Sequence, residues 1–173
     1  MSKRYAIDLD VSKCVSCGAC AVACMDQNDL NVKQTRPFRN VFDMERQEGE
    51  GTTYSHLSLA CMHCVDAPCI VGCPSACIQK DPETNLTVFD TTNCIGCHSC
   101  AMACPYGVPG FGPDGKMVKC DGCYVRVHHG MKPACVKACP TGALKLIDLD
   151  GPEEIAPANS LRQKSMGLLE RQV

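Results

Sequence analysis

The stretch CVSCGACAVACMD, Cys14 to Asp26, places Cys14, Cys17, Cys20 and Cys24 within eleven residues. The pattern returns three times. A second group is Cys61, Cys64, Cys69 and Cys73, in CMHCVDAPCIVGCP. A third is Cys94, Cys97, Cys100 and Cys104, in CIGCHSCAMACP, and a fourth is Cys120, Cys123, Cys135 and Cys139. Sixteen of the 17 cysteines thus fall into four fours, each ending in C-x3-C. Pro74, Pro105 and Pro140 follow three of the last cysteines, and Met25 stands in that place in the first group.

So many thiols constrain the interior. Leu, Val, Ile and Phe together supply only 35 of 173 residues, near the level at which burial alone struggles to fold a chain. Metal binding can supply the missing free energy. A disulfide scaffold fits poorly: the cysteine count is odd, C-x2-C spacing suits metal or redox sites, and the opening MSKRYAIDLD does not read as a secretory leader. The formal charge of -2 and the lack of a basic stripe point away from nucleic acid. No run of roughly 18 apolar residues reads as a membrane span.

Groups one and three carry the C-x2-C-x2-C-x3-C run of bacterial ferredoxins. Three cysteines in one tight loop reach three irons of a cubane, while loop N–H groups point at its sulfurs. The fourth cysteine opens the next element, faces away, and ligates the other cluster of a two-cluster unit. A lone C-x2-C serves zinc equally well; the triple spacing, found twice beside two variants, indicates four [4Fe-4S] clusters. All sixteen grouped cysteines are the candidate ligands.

The sequence resembles the four-cluster ferredoxin-type electron-transfer subunits of the dimethyl sulfoxide reductase family of molybdopterin oxidoreductases. CIGCHSCAMACPYGVP and KCDGCYVRVHHGMKPACVKACPTGAL carry the closest likeness, within a match from about Tyr5 to Ile147. The resemblance implies a ligand exchange. Cys14, Cys17 and Cys20 share a cluster with Cys139, and Cys120, Cys123 and Cys135 share one with Cys24. Cys61, Cys64 and Cys69 join Cys104, while Cys94, Cys97 and Cys100 join Cys73. Some relatives have tryptophan at the second group-three cysteine and a three-iron cluster there; Cys97 implies four irons.

The expected fold is α+β, a duplicated bacterial ferredoxin-like fold whose core is filled by clusters among short strands, short helices and long loops. Residues 1–150 read as one four-cluster domain of two interleaved dicluster halves. Arg4 to Asp10, LTVFD and ALKLID read as strands, and AVACMDQNDL as a short helix. The insert 25–60 reads as a hairpin turning at Glu48 to Gly51. The tail 151–173 is expected to form a short helix from about Leu161, with Leu168 and Leu169 on its apolar face. It either packs on its own domain or docks on a partner.

Cys77 occupies the slot of Ala143 and Val108 in the other repeats, so it reads as small apolar packing. With four complete cysteine sets, none of the histidines is needed as a ligand. His98 reads as an exposed loop residue. Lys119, Lys132 and Lys137 lie near group four; they read either as ordinary surface lysines or as partial compensation for cluster charge. Tyr106 and Tyr124 read as shields against water.

A cubane with four thiolate ligands leaves no iron open to substrate, and no phosphate or dinucleotide loop is present. The expected function is therefore non-catalytic relay of single electrons. The resemblance implies a hetero-oligomer in which a molybdenum or tungsten pterin catalytic subunit sits at one end. A separate membrane quinone-linked anchor, or another redox partner, sits at the other. It places the group-one cluster toward the catalytic subunit and the group-two cluster toward the anchor. The chain is then cytoplasmic, or co-exported to the periplasm with a signal-bearing partner, and peripheral to the membrane. The alternatives are a polyferredoxin of a hydrogenase, formate dehydrogenase or carbon monoxide dehydrogenase system, a free carrier, and a zinc-stapled interaction protein.

Overall fold

The computed structural model of the chain describes residues 3–151 and 160–162. Among these residues, eight short strands and five short helices alternate with long loops, an α+β, ferredoxin-like architecture. In chain order the elements are β1 (Tyr5–Leu9), α1 (Ala19–Gln27), β2 (Asn40–Glu48), β3 (Gly51–Leu59), α2 (Pro68–Val71), β4 (Ile78–Lys80) and β5 (Thr87–Phe89). They continue with α3 (Ser99–Ala103), β6 (Gly110–Phe111), β7 (Met117–Val118), α4 (Tyr124–His128), α5 (Ala134–Ala138) and β8 (Leu144–Asp148).

Two antiparallel strand pairs flank the cysteine loops. β1, entering group one, pairs with β8, leaving group four, from Tyr5↔Asp148 to Leu9↔Leu144. β5, entering group three, pairs with β4, leaving group two, from Ile78↔Phe89 to Lys80↔Thr87. The strand ends match in detail. Asp10 N donates to Ala143 O at 2.8 Å, and Asp90 N donates to Cys77 O at 2.8 Å. Asp10 accepts from Ser12 N and Oγ, as Asp90 accepts from Thr92 N and Oγ1. These side-chain turns direct each chain into its cysteine loop.

The two strand pairs are tied together. Lys3 N and Tyr5 N donate to Glu83 O and Thr84 O, at 3.1 and 3.0 Å. His128, on α4, bonds Asp81 through Nε2 at 3.0 Å. Asp8, 2% exposed, accepts from Leu9 N, Ser160 Oγ and Arg162 N, which brings the described part of the tail onto β1. Beyond Arg162 the expected tail helix, with Leu168 and Leu169, lies outside the described residues.

The interior consists of three small patches, each part aliphatic and part cysteine. One joins Ile7, Leu9, Ala143 and Leu144 with Cys20 and Cys135. Another joins Ala67, Ile78 and Met117 with Cys69 and Cys100. The third sets Ala60 beside Cys61 and Cys120. β2 and β3 form a hairpin, Asn40↔Leu59 through Glu48↔Gly51, whose base packs Val41 and Leu57 on the first patch. Its outer part is solvent-exposed on both faces, with Phe42, Met44 and Tyr54 uncovered.

The loops bend through left-handed backbone at one repeated slot, two residues after the first cysteine of each group. Ser16, His63, Gly96 and Gly122 have φ of 55°, 45°, 64° and 75°. This conformation turns the backbone inward, and glycine adopts it at least cost. At Gly96 a Cβ would also lie 2.7 Å from the Gly115 carbonyl oxygen. Gly96→Ala is therefore expected to destabilise the folded protein by roughly 2 kcal/mol or more, measured by anaerobic denaturant unfolding. Gly142→Ala, with the same backbone hand but nothing within 4 Å, should cost only about 1 kcal/mol.

Candidate iron-sulfur sites

Two sets of thiols line common cavities, each taking three cysteines from one group and the last from another. Cys14, Cys17, Cys20 and Cys139 line a cavity of about 320 Å³, walled otherwise by Leu9, Val41, Ala143 and Leu144. Cys94, Cys97, Cys100 and Cys73 line a second, of about 300 Å³, with Ile78, Phe111 and Met117. The Cys69 thiol, pushed up to about 11 by burial, also feels Cys61, Cys104 and Cys64. Burial likewise pushes Cys123 up to about 11, with Cys135 and Cys24 acting on it in the same direction. Cys120 is raised by burial and lies close enough to Cys135 to feel its charge.

The local folds explain why these thiols converge. In groups one and three the third cysteine sits in the first turn of α1 or α3, each opened by a left-handed residue, Gly18 or His98. Backbone N–H groups then point at sulfur. His63 N lies 3.4 Å from Cys61 Sγ, Cys77 N 3.3 Å from Cys73 Sγ, Met117 N 3.4 Å from Cys94 Sγ, and Gly122 N 3.4 Å from Cys120 Sγ. Two of these donors are the left-handed residues of the loops themselves.

The donor set fits a [4Fe-4S] cluster. Among the described residues, no three His, Cys, Asp or Glu side chains converge on the position of one ion. The thiols instead surround cavities with apolar walls and inward N–H groups, the environment of a polynuclear thiolate cluster. A buried cation agrees with this. Arg39 is 3% exposed, and its Nε is buried without a hydrogen-bond partner among the described residues.

The burial of charge around the sites was not legible in the sequence. Lys119 is 1% exposed and donates to Thr87 O and Cys120 O, so it is no surface lysine, whereas Lys132 and Lys137 are exposed. His63 is equally enclosed. Its Nδ1 accepts from Thr87 N at 2.9 Å, and its Nε2 lies 3.9 Å from Cys120 Sγ. Burial first, then Lys119, Lys80, Arg162 and Arg39, hold its pKa well below the usual histidine value, so the ring is neutral. With Nδ1 accepting, the proton sits on Nε2, toward the sulfur. Only its left-handed slot within a cysteine loop hinted at this role.

His98 is exposed, stacked on Phe111 at 3.6 Å. Cys77 is 5% exposed, with Sγ toward Ser75 O, and borders the cavity of Cys73 and Cys94.

Exposure differs among the cysteine loops: Cys61 packs in the interior against Cys120. The outward loops are those of groups one and three, where Cys17 and Cys97 are exposed and Val15 and Ile95 are 58% and 69% exposed. The corresponding position of group two, Met62, is buried, and its carbonyl accepts from the Arg162 guanidinium.

Fold and site together define a ferredoxin-type iron-sulfur protein of the electron-transfer kind. Comparison with known proteins makes this specific. Residues 52–149 match the 4Fe-4S dicluster domain family. The chain is 39% identical over 173 residues to YnfG of Escherichia coli K12, a probable anaerobic dimethyl sulfoxide reductase subunit, covering 95% of this chain and 78% of that one. It is 38% identical, with the same coverage, to the B subunit of the anaerobic dimethyl sulfoxide reductase of the same strain. It is 35% identical to the thiosulfate reductase electron transfer subunit PhsB of Salmonella typhi, over 88% of this chain and 80% of that one. The chain belongs to the iron-sulfur electron-transfer subunits of the dimethyl sulfoxide reductase family of molybdopterin oxidoreductases. It is a non-catalytic member of a hetero-oligomer, its cofactors are [4Fe-4S] clusters, and its sixteen grouped cysteines are enough for four. No helix among the described residues is long and apolar enough to cross a membrane.

Because every core patch is part cysteine, the clusters and the fold are expected to be lost together. Anaerobic chelation of iron should abolish the cooperative denaturant transition and tertiary circular dichroism. A sharp transition surviving in iron-free protein would show that the aliphatic residues suffice.

Proposed function

We propose that the chain relays single electrons through four [4Fe-4S] clusters, held by Cys14, Cys17, Cys20 and Cys139; by Cys120, Cys123, Cys135 and Cys24; by Cys61, Cys64, Cys69 and Cys104; and by Cys94, Cys97, Cys100 and Cys73. The observation that carries this reading is the mixing of groups in the two defined cavities. Each joins three cysteines of one loop to the last cysteine of another. A cluster so held accepts and passes one electron without binding substrate; its potential is set by hydrogen bonds to sulfur, local charge and solvent exposure.

The fold is a duplicated ferredoxin. The paired strands, the Asp10–Ser12 and Asp90–Thr92 turns and the repeated left-handed slot support two equivalent halves. One half holds groups one and four, and the other, inserted within it, holds groups two and three. Residues 1–150 form this four-cluster domain, with residues 25–60 as its hairpin insert and 151–173 as a tail.

Adjacency then orders the wire. Cys20 and Cys135 share one patch and Cys61 and Cys120 another. The clusters follow in the order of groups one, four, two and three, which makes the first and last the exchange points with partners. One partner is a molybdenum or tungsten pterin catalytic subunit, at the group-one end. The other is a separate quinone-linked membrane anchor, or another redox subunit, at the group-three end. The chain is peripheral to the membrane through that anchor.

The native complex, purified without oxygen, is expected to contain about sixteen irons per copy of this chain, with molybdenum or tungsten. Iron without either metal would favour the polyferredoxin reading, and zinc in place of iron would end the electron-transfer account. Cys97→Ser should remove one iron and produce the paramagnetic signal of a three-iron cluster. Cys77→Ala should leave iron content and spectra unchanged.

A further inference from the structure

The assigned cysteines leave one buried cation without an explanation. Arg39 lies just before β2 and is 3% exposed. A guanidinium removed from water is costly unless it is paired and its N–H groups are used. Among the described residues no carboxylate forms an ion pair with Arg39. Nη1 donates to Ser58 O at 2.9 Å and to Ser58 Oγ at 3.2 Å, while Nε has no partner. The groups that favour its charge are thiols. Burial opposes its charge, but Cys135, Cys120 and Cys20 favour it and hold its pKa above the usual arginine value.

These thiols belong to two different sets. Cys20 is assigned to the group-one cluster, Cys120 and Cys135 to the group-four cluster. Arg39 reaches the first by a relay. Ser58 Oγ accepts from Arg39 Nη1 and lies 3.3 Å from Cys20 Sγ, so its own proton is free to point at that sulfur. Ser58 is itself 3% exposed, which shields the relay from water.

We propose that Arg39 is a positioning residue at the junction of the first two clusters, compensating the charge of both and donating Nε–H to the sulfur of one. The inference rests on the cluster assignment above. A fixed positive charge and an N–H donor both favour the more negative, reduced state of a cluster, so they raise its potential. Arg39 thereby keeps two neighbouring clusters reducible within a low-dielectric interior, and its Ser58 arm acts on the outer of the two.

The test is potentiometric titration of the native complex, followed by electron paramagnetic resonance, with iron measured for every variant. In Arg39→Gln two of four midpoint potentials should fall and two should stay. At a fixed poise, the reduced fraction of two clusters drops several-fold. Arg39→Lys should recover part of the shift, because it restores charge without the planar fork. Ser58→Ala should lower the potential of the group-one cluster alone. Four unmoved potentials in Arg39→Gln at full iron content overturn the proposal. If that variant assembles less iron, Arg39→Lys and Ser58→Ala decide, and unmoved potentials in both overturn it. Wild-type complex lacking four [4Fe-4S] clusters overturns the underlying assignment instead, an outcome read before any variant is made.

Discussion

Thiolate-ligated clusters carry negative charge, and here fourteen of the sixteen grouped thiols are buried or half-buried. The rest of the structure answers that single electrostatic demand. Buried Lys119, Arg39 and Arg162, with half-buried Lys80, are an unusual collection of cations for the interior of so small a chain. Each would be costly alone. The thiols are equally costly: burial raises Cys69, Cys77 and Cys123 to about 11. Anionic clusters and buried cations make each other tolerable, and backbone N–H groups in the cysteine loops supply the remaining polarity. Stability and redox tuning are therefore not separate properties. A change that removes a cation shifts a potential and weakens the interior at the same time.

The second constraint is distance. Electron tunnelling falls steeply with separation, so a relay needs neighbouring clusters and two accessible ends. The pairing of the first and last strands bears on both needs. β1 pairs with β8 from the far end of the sequence, closing groups one and four around the segment that holds groups two and three. This brings Cys61 against Cys120 in the interior and leaves the loops of Cys17 and Cys97 at the surface. His63, with its ring between the Cys61 loop and Cys120, occupies the internal junction as a neutral donor. The apolar residues beside the two outward loops, Val15 and Ile95, suit these loops to contact with other chains.

The local features were legible in order because their causes are local. C-x2-C-x2-C-x3-C spacing bends a loop around a cubane whatever surrounds it, and the strands before groups one and three announce themselves by alternation. The hairpin of β2 and β3 needed only two alternating runs and a glycine-containing turn. Reading the cysteines by residue type and spacing reached the cofactor, and resemblance reached the family. The burial of Met62 has a cause outside its own segment: its carbonyl accepts from Arg162, a hundred residues away.

What the sequence by itself determined was the chemistry: cysteine groups with cluster spacing, no open catalytic position, and a chain too poor in aliphatic residues to fold around them alone. Tertiary structure decided which charged side chains meet that chemistry. Lys119 and Lys137 both lie near group four in sequence, yet one is enclosed and the other faces solvent. Arg39 is enclosed beside the hairpin base, whose Val41 and Leu57 pack on the patch of Cys20 and Cys135. Burial of a charge depends on what distant segments cover it, and no local pattern carries that information.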